Sequence, residues 1–267
     1  MRGLIMAAQQ QAKVGFEPET LAYQARVLAD GGDVIDINTV DNAYKYLKAQ
    51  GIYNNLVFSV NSQYGIKKRI AGADIFVVKA YNLAGDRIFV LNSNNYADAS
   101  AVEAQQPKLD GGIIYDGINH DMTMSIFSAL IADDSPMTIM VKVKGNYTDR
   151  GGFVWAGYVN SQIFGYRSGR LHTFEAPDQL LSAPLTNDVE YFAQYTCNGV
   201  AIPNYYHYID GILVGTSPDD RGFTRRDNWY LGRANSTDRR FAGNLDDVYI
   251  FNTQLTQAQM QGILANL

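Results

Sequence analysis

Near residue 55 the spacing of apolar positions along the chain changes period. Before that point it is helical. Glu17-Pro18-Glu19-Thr20 opens a stretch with Leu21, Ala25 and Leu28 at i, i+4 and i+7, and Gly31-Gly32 closes it, which predicts a short amphipathic helix. Asp36 or Asn38 can cap a second helix with Val40, Ala43, Tyr44 and Leu47 on one face and Gly51 as its stop. Both apolar stripes must be covered, either by the rest of the chain or by another chain.

After residue 55 the period falls to two. Leu56–Val60, Asp74–Val78, Arg87–Leu91, Ile113–Tyr115, Met137–Val143 and Gly152–Trp155 are rich in β-branched and aromatic residues and bounded by Gly, Asn and Asp. The same holds for Gln162–Tyr166, Val189–Tyr195, Tyr205–Ile209, Trp229–Gly232 and Leu245–Phe251. Many short strands of this kind predict an all-β sandwich or barrel. Asp210-Gly211 between two runs predicts a type I′ hairpin, and Tyr166-Arg167-Ser168-Gly169-Arg170 reads as another hairpin turn. The polar stretch from Asn92 to Pro107 reads as a surface loop, and Thr256 can cap a closing helix through Leu264. The expected organisation is a helical N-terminal arm, residues 1–54, followed by a β-sandwich, residues 55–267.

Charge and composition exclude some partners. Net charge is −5 over 267 residues, so no general attraction to nucleic acid is expected. The basic run Lys67-Lys68-Arg69 reads as a solvated turn. The apolar stretch at Leu4-Ile5-Met6-Ala7-Ala8 is too short for a signal-peptide core or a membrane span, and no membrane insertion is expected. Cys197 is the one cysteine; a buried spectator thiol is the default reading.

Four stretches in order resemble the concanavalin A-like, laminin-G-like superfamily. Gln106-Pro107-Lys108-Leu109 with Gly112-Ile113-Ile114-Tyr115-Asp116-Gly117-Ile118-Asn119-His120-Asp121-Met122 looks like the family's opening strand, with Met122 in place of an aromatic. Met137–Val143 looks like the next strand, without the Trp often found there. Tyr208-Ile209-Asp210-Gly211-Ile212-Leu213-Val214-Gly215 looks like the family's hairpin. Tyr230-Leu231-Gly232-Arg233 and Phe241–Asn252 look like its closing strand, with Leu255–Met260 as the helix after it. The resemblance implies an all-β, concanavalin A-like jelly-roll sandwich whose first and last strands, 112–116 and 245–251, are neighbours. A second resemblance lies in Leu21–Gly32, Gly51–Phe58 and Ala80–Asp86, which look like the leader of bacteriophage structural proteins that join such a leader to a laminin-G-like domain.

Candidate chemistry is sparse. A glycosidase on this fold needs two carboxylates flanking the scissile bond. The five Glu residues, Glu17, Glu19, Glu103, Glu175 and Glu190, share no strand at a suitable spacing. Asp246 and Asp247 are adjacent and would point to opposite faces of a strand. No catalytic residue is therefore assigned. His120, His172 and His207 are scattered, without metal-ligand spacing, and read as ordinary surface or strand histidines. Calcium is the one cofactor considered: Asp116 and Asp246, on strands the resemblance makes neighbours, supply hard oxygen ligands, although each can equally cap a turn. For a glycan, Tyr206 and Tyr208, if they alternate out of the core, with Trp155 and Arg167, are the candidate planar and polar groups.

The leading expectation is a non-enzymatic phage virion structural protein (decoration, tail or fibre component). It would be assembled in the host cytoplasm, associate with itself and other virion proteins through its arm, and present a lectin-like sandwich for adhesion to cell-surface glycan. A secreted bacterial carbohydrate-binding module and a polysaccharide hydrolase are the alternatives.

Overall fold

In the computed structural model the described residues are 15–84, 96–99, 106–125, 131–132, 135–156, 162–174, 180–199, 204–218, 228–233 and 239–267. The strand expected at Arg87–Leu91 lies outside them, as does most of the loop expected from Asn92 to Pro107.

Two antiparallel sheets face each other. The first runs β16 (Ile212–Pro218), β15 (Asn204–Ile209), β14 (Glu190–Cys197), β9 (Met137–Gly145) and β18 (Ala242–Phe251). The far edge of β18 pairs first with β7 (Ile113–Asp116) and then with β2 (Leu56–Val60). The expected neighbourhood of first and last strands is therefore present, with Ala242 opposite Asp116. The second sheet runs β13 (Leu180–Pro184), β12 (Arg170–Phe174), β11 (Gln162–Arg167), β10 (Arg150–Ala156), β17 (Asn228–Leu231), β8 (Met122–Ser125) and β5 (Tyr96–Ala99). Strand β4 (Asp74–Tyr81) pairs with β5 and also with β6 (Lys108–Leu109), which continues to β7, so it joins the sheets along one side. Its hairpin partner is β3 (Gly65–Ala71), which also pairs with the short β1 (Asp33–Val34).

Turn chemistry fixes the hairpins. Asp210 and Gly211 have φ of 51° and 73°, and Ser168 and Gly169 have 49° and 69°. Positive φ at both central residues is the type I′ signature that the Asp-Gly and Ser-Gly sequences announce.

The alternation of β9 explains the two cores. Its inward residues Ile139, Val141 and Val143 meet Phe153, Phe164, Leu171, Trp229 and Leu231 of the second sheet. Outward-facing Met140 belongs to a separate cluster, with Tyr249 and Phe251 of β18 and with three helices laid on the sheet's outer face. These are α1 (Pro18–Ala29), α2 (Ile37–Ala49) and α3 (Gln257–Asn266). Thr256 and Gln259 cap α3 reciprocally, and the Asp36 side chain caps α2 by accepting from Asn38 N.

The two N-terminal stripes are thus covered by the chain's own sandwich. Val40, Ala43, Tyr44 and Leu47 of α2 are buried as the period predicts. In α1 the phase differs: Thr20, Tyr23 and Val27 are buried, while Leu28 is 50% exposed. Tyr23 decides this, because its ring buries more surface than a leucine and its hydroxyl donates to Tyr81 O and accepts from Gly65 N. A side chain at residue 65 would collide with α1, since its Cβ would lie 2.6 Å from Val27 Cγ2. The Lys67–Arg69 run is also corrected. It lies on strand β3, where Lys67 donates to Asp30 O, Lys68 pairs with Asp33 and Arg69 Nε donates to Gln106 Oε1. Cys197 is buried, as expected.

Because the helices complete a core, Leu47→Ala is expected to cost about 2–5 kcal/mol, read by denaturant unfolding. Deleting residues 1–50 strips α1 and α2 from Met140, Tyr249 and Phe251, and light scattering is expected to show aggregation. A folded, monomeric truncation would show that the sandwich does not need its cover.

Candidate functional site

The helical layer stops partway along the outer face of the first sheet. Outward positions of β9 change there from Met140 to Lys142 and Lys144, and those of β14 from Gln194 to Phe192 and Glu190. Beyond the end of α3 lies a groove of ≈ 270 Å³, lined by Lys142, Glu190, Phe192, Asp210, Asp247, Leu264 and Leu267. A smaller cleft of ≈ 40 Å³ adjoins it, where Lys142 and Glu190 meet Lys144, Asn244 and Asp246.

Lys142 is the hub. Its Nζ lies 3.5 Å from Glu190 Oε1 and 3.8 Å from Asp247 Oδ2. Burial works against its charge, but Asp247 and Glu190 outweigh it and hold the ammonium's pKa above its ordinary value. Asp210 Oδ1 accepts from Phe192 N at 2.8 Å, which ties the hairpin turn to the groove wall. The buried Oδ1 of Asn244 has no hydrogen-bond partner among the described residues.

Asp246 and Asp247 do not point to opposite faces, contrary to the expectation from strand alternation. The register of β18 against β9 shifts between Asp246 and Tyr249, and Asp247 has φ of 46°. This bulge turns both carboxyls toward the turn after β2. Asp246 accepts from Ser62 N at 2.7 Å and Ser62 Oγ at 2.6 Å, and Asp247 accepts from Asn61 Nδ2. Asp247 is 7% exposed. Burial, then the neighbouring Asp246, push its carboxyl up to about 7.

The calcium pair is not brought together. Asp116 stands opposite Ala242, four residues from Asp246, so roughly 13 Å of strand separates them at ~3.3 Å per residue. Asp116 Oδ1 instead accepts from the backbone of Ile118, Asn119 and His120 at 2.9, 2.8 and 2.9 Å. Burial opposes its ionisation, but these three N–H groups outweigh it and hold the carboxyl below its usual range. Among the described residues no group of three or more His, Cys, Asp or Glu is placed to hold a metal.

The four glycan candidates are divided between the sheets. Tyr206 and Tyr208 on β15 do point out of the inter-sheet core, but the helical layer roofs them: Tyr208 is buried in the outer cluster and Tyr206 packs against it. Trp155 and Arg167 belong to β10 and β11 of the other sheet, and the side chain of Trp155 lies outside the described residues. Lys142, Glu190, Phe192 and Asp247 were missed as candidates. The signal for them was the switch from Met140 to Lys142 and Lys144 on one strand face, which marks where the cover ends.

The histidines are core residues. His172 and His207 are fully buried and His120 nearly so. His207 Nε2 lies 2.5 Å from Thr173 Oγ1, and burial pushes its pKa down to about 3. Among the described residues no helix is long and apolar enough to cross a membrane.

A two-sheet antiparallel sandwich of this kind is the architecture of a lectin-like fold. The family model described as the concanavalin A-like lectin/glucanases superfamily matches residues 115–261, more than half the chain, and the protein belongs to that superfamily. No curated protein matches by sequence. Among solved structures, the receptor-binding domain of botulinum neurotoxin C/D mosaic serotype superposes with a TM-score of 0.57 at 11% identity, over 80% of this chain and 52% of that one. The binding domain of Paraclostridial Mosquitocidal Protein 1 gives 0.53 at 14% identity, over 79% and 52%. Trypanosoma rangeli sialidase gives 0.55 at 11% identity, over 85% and 39%. The chain spans about half the length of the two toxin domains and less of the sialidase. At these identities the likeness is one of fold.

Asp116→Ala strips an acceptor from three backbone donors and is expected to cost about 1–3 kcal/mol. Calcium titration of the unmodified protein is expected to leave Tm unchanged, and a calcium-dependent rise lost in Asp116→Ala would restore the metal reading.

Proposed function

We propose that the chain is a non-enzymatic bacteriophage virion structural protein whose lectin-like sandwich offers the Lys142–Glu190–Phe192 groove to host-surface glycan. The groove is the observation that carries this reading. It sets an aromatic ring beside carboxylates and an ammonium, groups that stack on a sugar's C–H face and bond its hydroxyls. Two of the structural neighbours are binding domains by description, a role of the same kind.

The ion pairs favour binding over hydrolysis. A glycosidase leaves the space between its two carboxyls for the glycosidic bond and, in inverting enzymes, for water. Here the Lys142 ammonium occupies the space between Glu190 and Asp247. The virion assignment rests on the leader resemblance at Leu21–Gly32 and Gly51–Phe58. Since α1 and α2 spend their stripes on the sandwich, contacts with further copies or other virion proteins fall to other surfaces. Ile70 and Ile75, on the tip of the β3–β4 hairpin, are 74% and 37% exposed.

The test is a glycan array with the full chain and with Phe192→Ala, the fold being checked by circular dichroism. Binding to a defined set of glycans that weakens about tenfold in the variant, as loss of one aromatic contact implies, supports the groove. No binding, or binding indifferent to Phe192, removes it. Release of reducing ends from a bound polysaccharide would replace the adhesin with a hydrolase. Recovery of the chain from purified phage particles separates the virion protein from a secreted module.

A further inference from the structure

One attachment of α1 and α2 to the sandwich runs through the turn Asn61–Gly65, beside the bonds of Tyr23 to Tyr81 O, Arg26 to Asn82 O and Tyr44 to Leu83 O. Ile35 N donates to Tyr64 O at 3.0 Å and Asp36 N to Gln63 O at 2.9 Å, just before α2. Strand β1, which links the two helices, pairs with Gly65 and Ile66, and Gly65 N donates to the Tyr23 hydroxyl of α1 at 2.7 Å. The turn is in its own right fastened to β18 by side chains: Ser62 bonds Asp246 through two donors, and Asn61 bonds Asp247. Two adjacent carboxyls thus hold a turn that bonds α1 and the start of α2.

Asp247 shares one cation with Glu190. Lys142 Nζ sits between Asp247 at 3.8 Å and Glu190 at 3.5 Å. The hydroxyls of Tyr64 and Tyr249, bonded to each other at 2.9 Å, are held neutral by burial and offer no counter-charge. Asp210, on the groove wall opposite, adds another acid. A buried carboxylate at residue 247 is therefore set against Asp246 with, among the described residues, a share of the Lys142 ammonium.

We propose that the Asp246–Asp247 pair is a proton-controlled latch, which fastens the turn beneath α1 and the start of α2 to the sheet while Asp247 is protonated and loosens this attachment when Asp247 ionises. This holds whether or not the groove binds glycan. The hydrogen bond from Asn61 survives ionisation, so the latch acts through the burial and repulsion of the new charge, which lifting the turn relieves by admitting water. The sign follows from geometry. The folded carboxyl titrates above its ordinary 3.8, at about 7. Its stabilising contribution is complete below about 4, is lost as pH rises toward 7, and stays lost above that.

Hydrogen exchange of the full-length protein at pH 5 and pH 8, corrected for intrinsic exchange rates, tests it. Protection of α1, α2 and the Asn61–Gly65 turn is expected to fall at least about tenfold relative to β10 and β11 of the inner core. Asp247→Asn keeps the acceptor for Asn61 and suits the positive φ, and it is expected to abolish the fall. Glu190→Gln, at the exposed rim, removes a repelling charge and leaves Lys142 to Asp247, so the fall is expected to shrink. Uniform protection at both pH values in the unmodified chain overturns the latch, as does a fall that persists in Asp247→Asn. If Asp247→Asn does not fold, Glu190→Gln decides alone, and an undiminished fall there overturns the proposal.

Discussion

Strand β18 is apolar on both faces over its last four residues, and the rest of the structure follows from the need to cover both. Val248 and Ile250 enter the inter-sheet core, while Tyr249 and Phe251 face outward. A sandwich supplies a partner for the first pair only. Leaving the second pair in water would expose a contiguous apolar patch on the sheet. The chain meets this with elements from both ends: α1, α2 and β2 from the N-terminal part, and α3 from the end of the sequence. Strand β2 lies against β18 in the sheet itself, so the N-terminal segment is stitched into the sandwich.

The groove is the other side of the same constraint. Along β9 the helical cover ends after Met140. Beyond Met140 the outward positions are charged, and the uncovered strip between them and the end of α3 forms the concavity. Charged groups crowd there because three strands present their polar ends together. One ammonium, Lys142, serves Glu190 and Asp247 at once, and the bulge in β18 adds Asp246 to the group. A regular strand would have sent one of the two aspartates into the inter-sheet core and left the other outside. The bulge lets both serve as acceptors for the Asn61–Ser62 turn, which links the groove floor to the attachment of the helices.

The fold was largely legible in the sequence, because alternation and turn residues are local signals. The runs at Met137–Val143 and Leu245–Phe251 read as strands, Asp-Gly fixed its hairpin through positive φ, and the motif order identified the superfamily. Strand β3, with three consecutive basic residues, and strand β12 escaped notice, because their pairing is set by neighbours and not by their own composition. The stripe of α1 was misphased for a related reason: Leu28 is as apolar as the position requires, but Tyr23 has hydroxyl partners at Gly65 and Tyr81 that no helical pattern reveals.

The candidate site was much less legible. Tyr206 and Tyr208 face away from the inter-sheet core, the condition set for them, yet whether an outward tyrosine meets solvent or a helix depends on segments distant in the chain. Asp116 and Asp246 lie on neighbouring strands, but register sets them apart along the sheet, and register is a property of the pair. By itself the sequence determined the strands, the hairpins and the amphipathic helices, since these rest on local backbone preference and side-chain periodicity. Only the tertiary structure decided which sheet face is roofed, where the roof ends and which carboxyls share Lys142, because burial and charge pairing depend on what lies across a gap and not on what comes next along the chain.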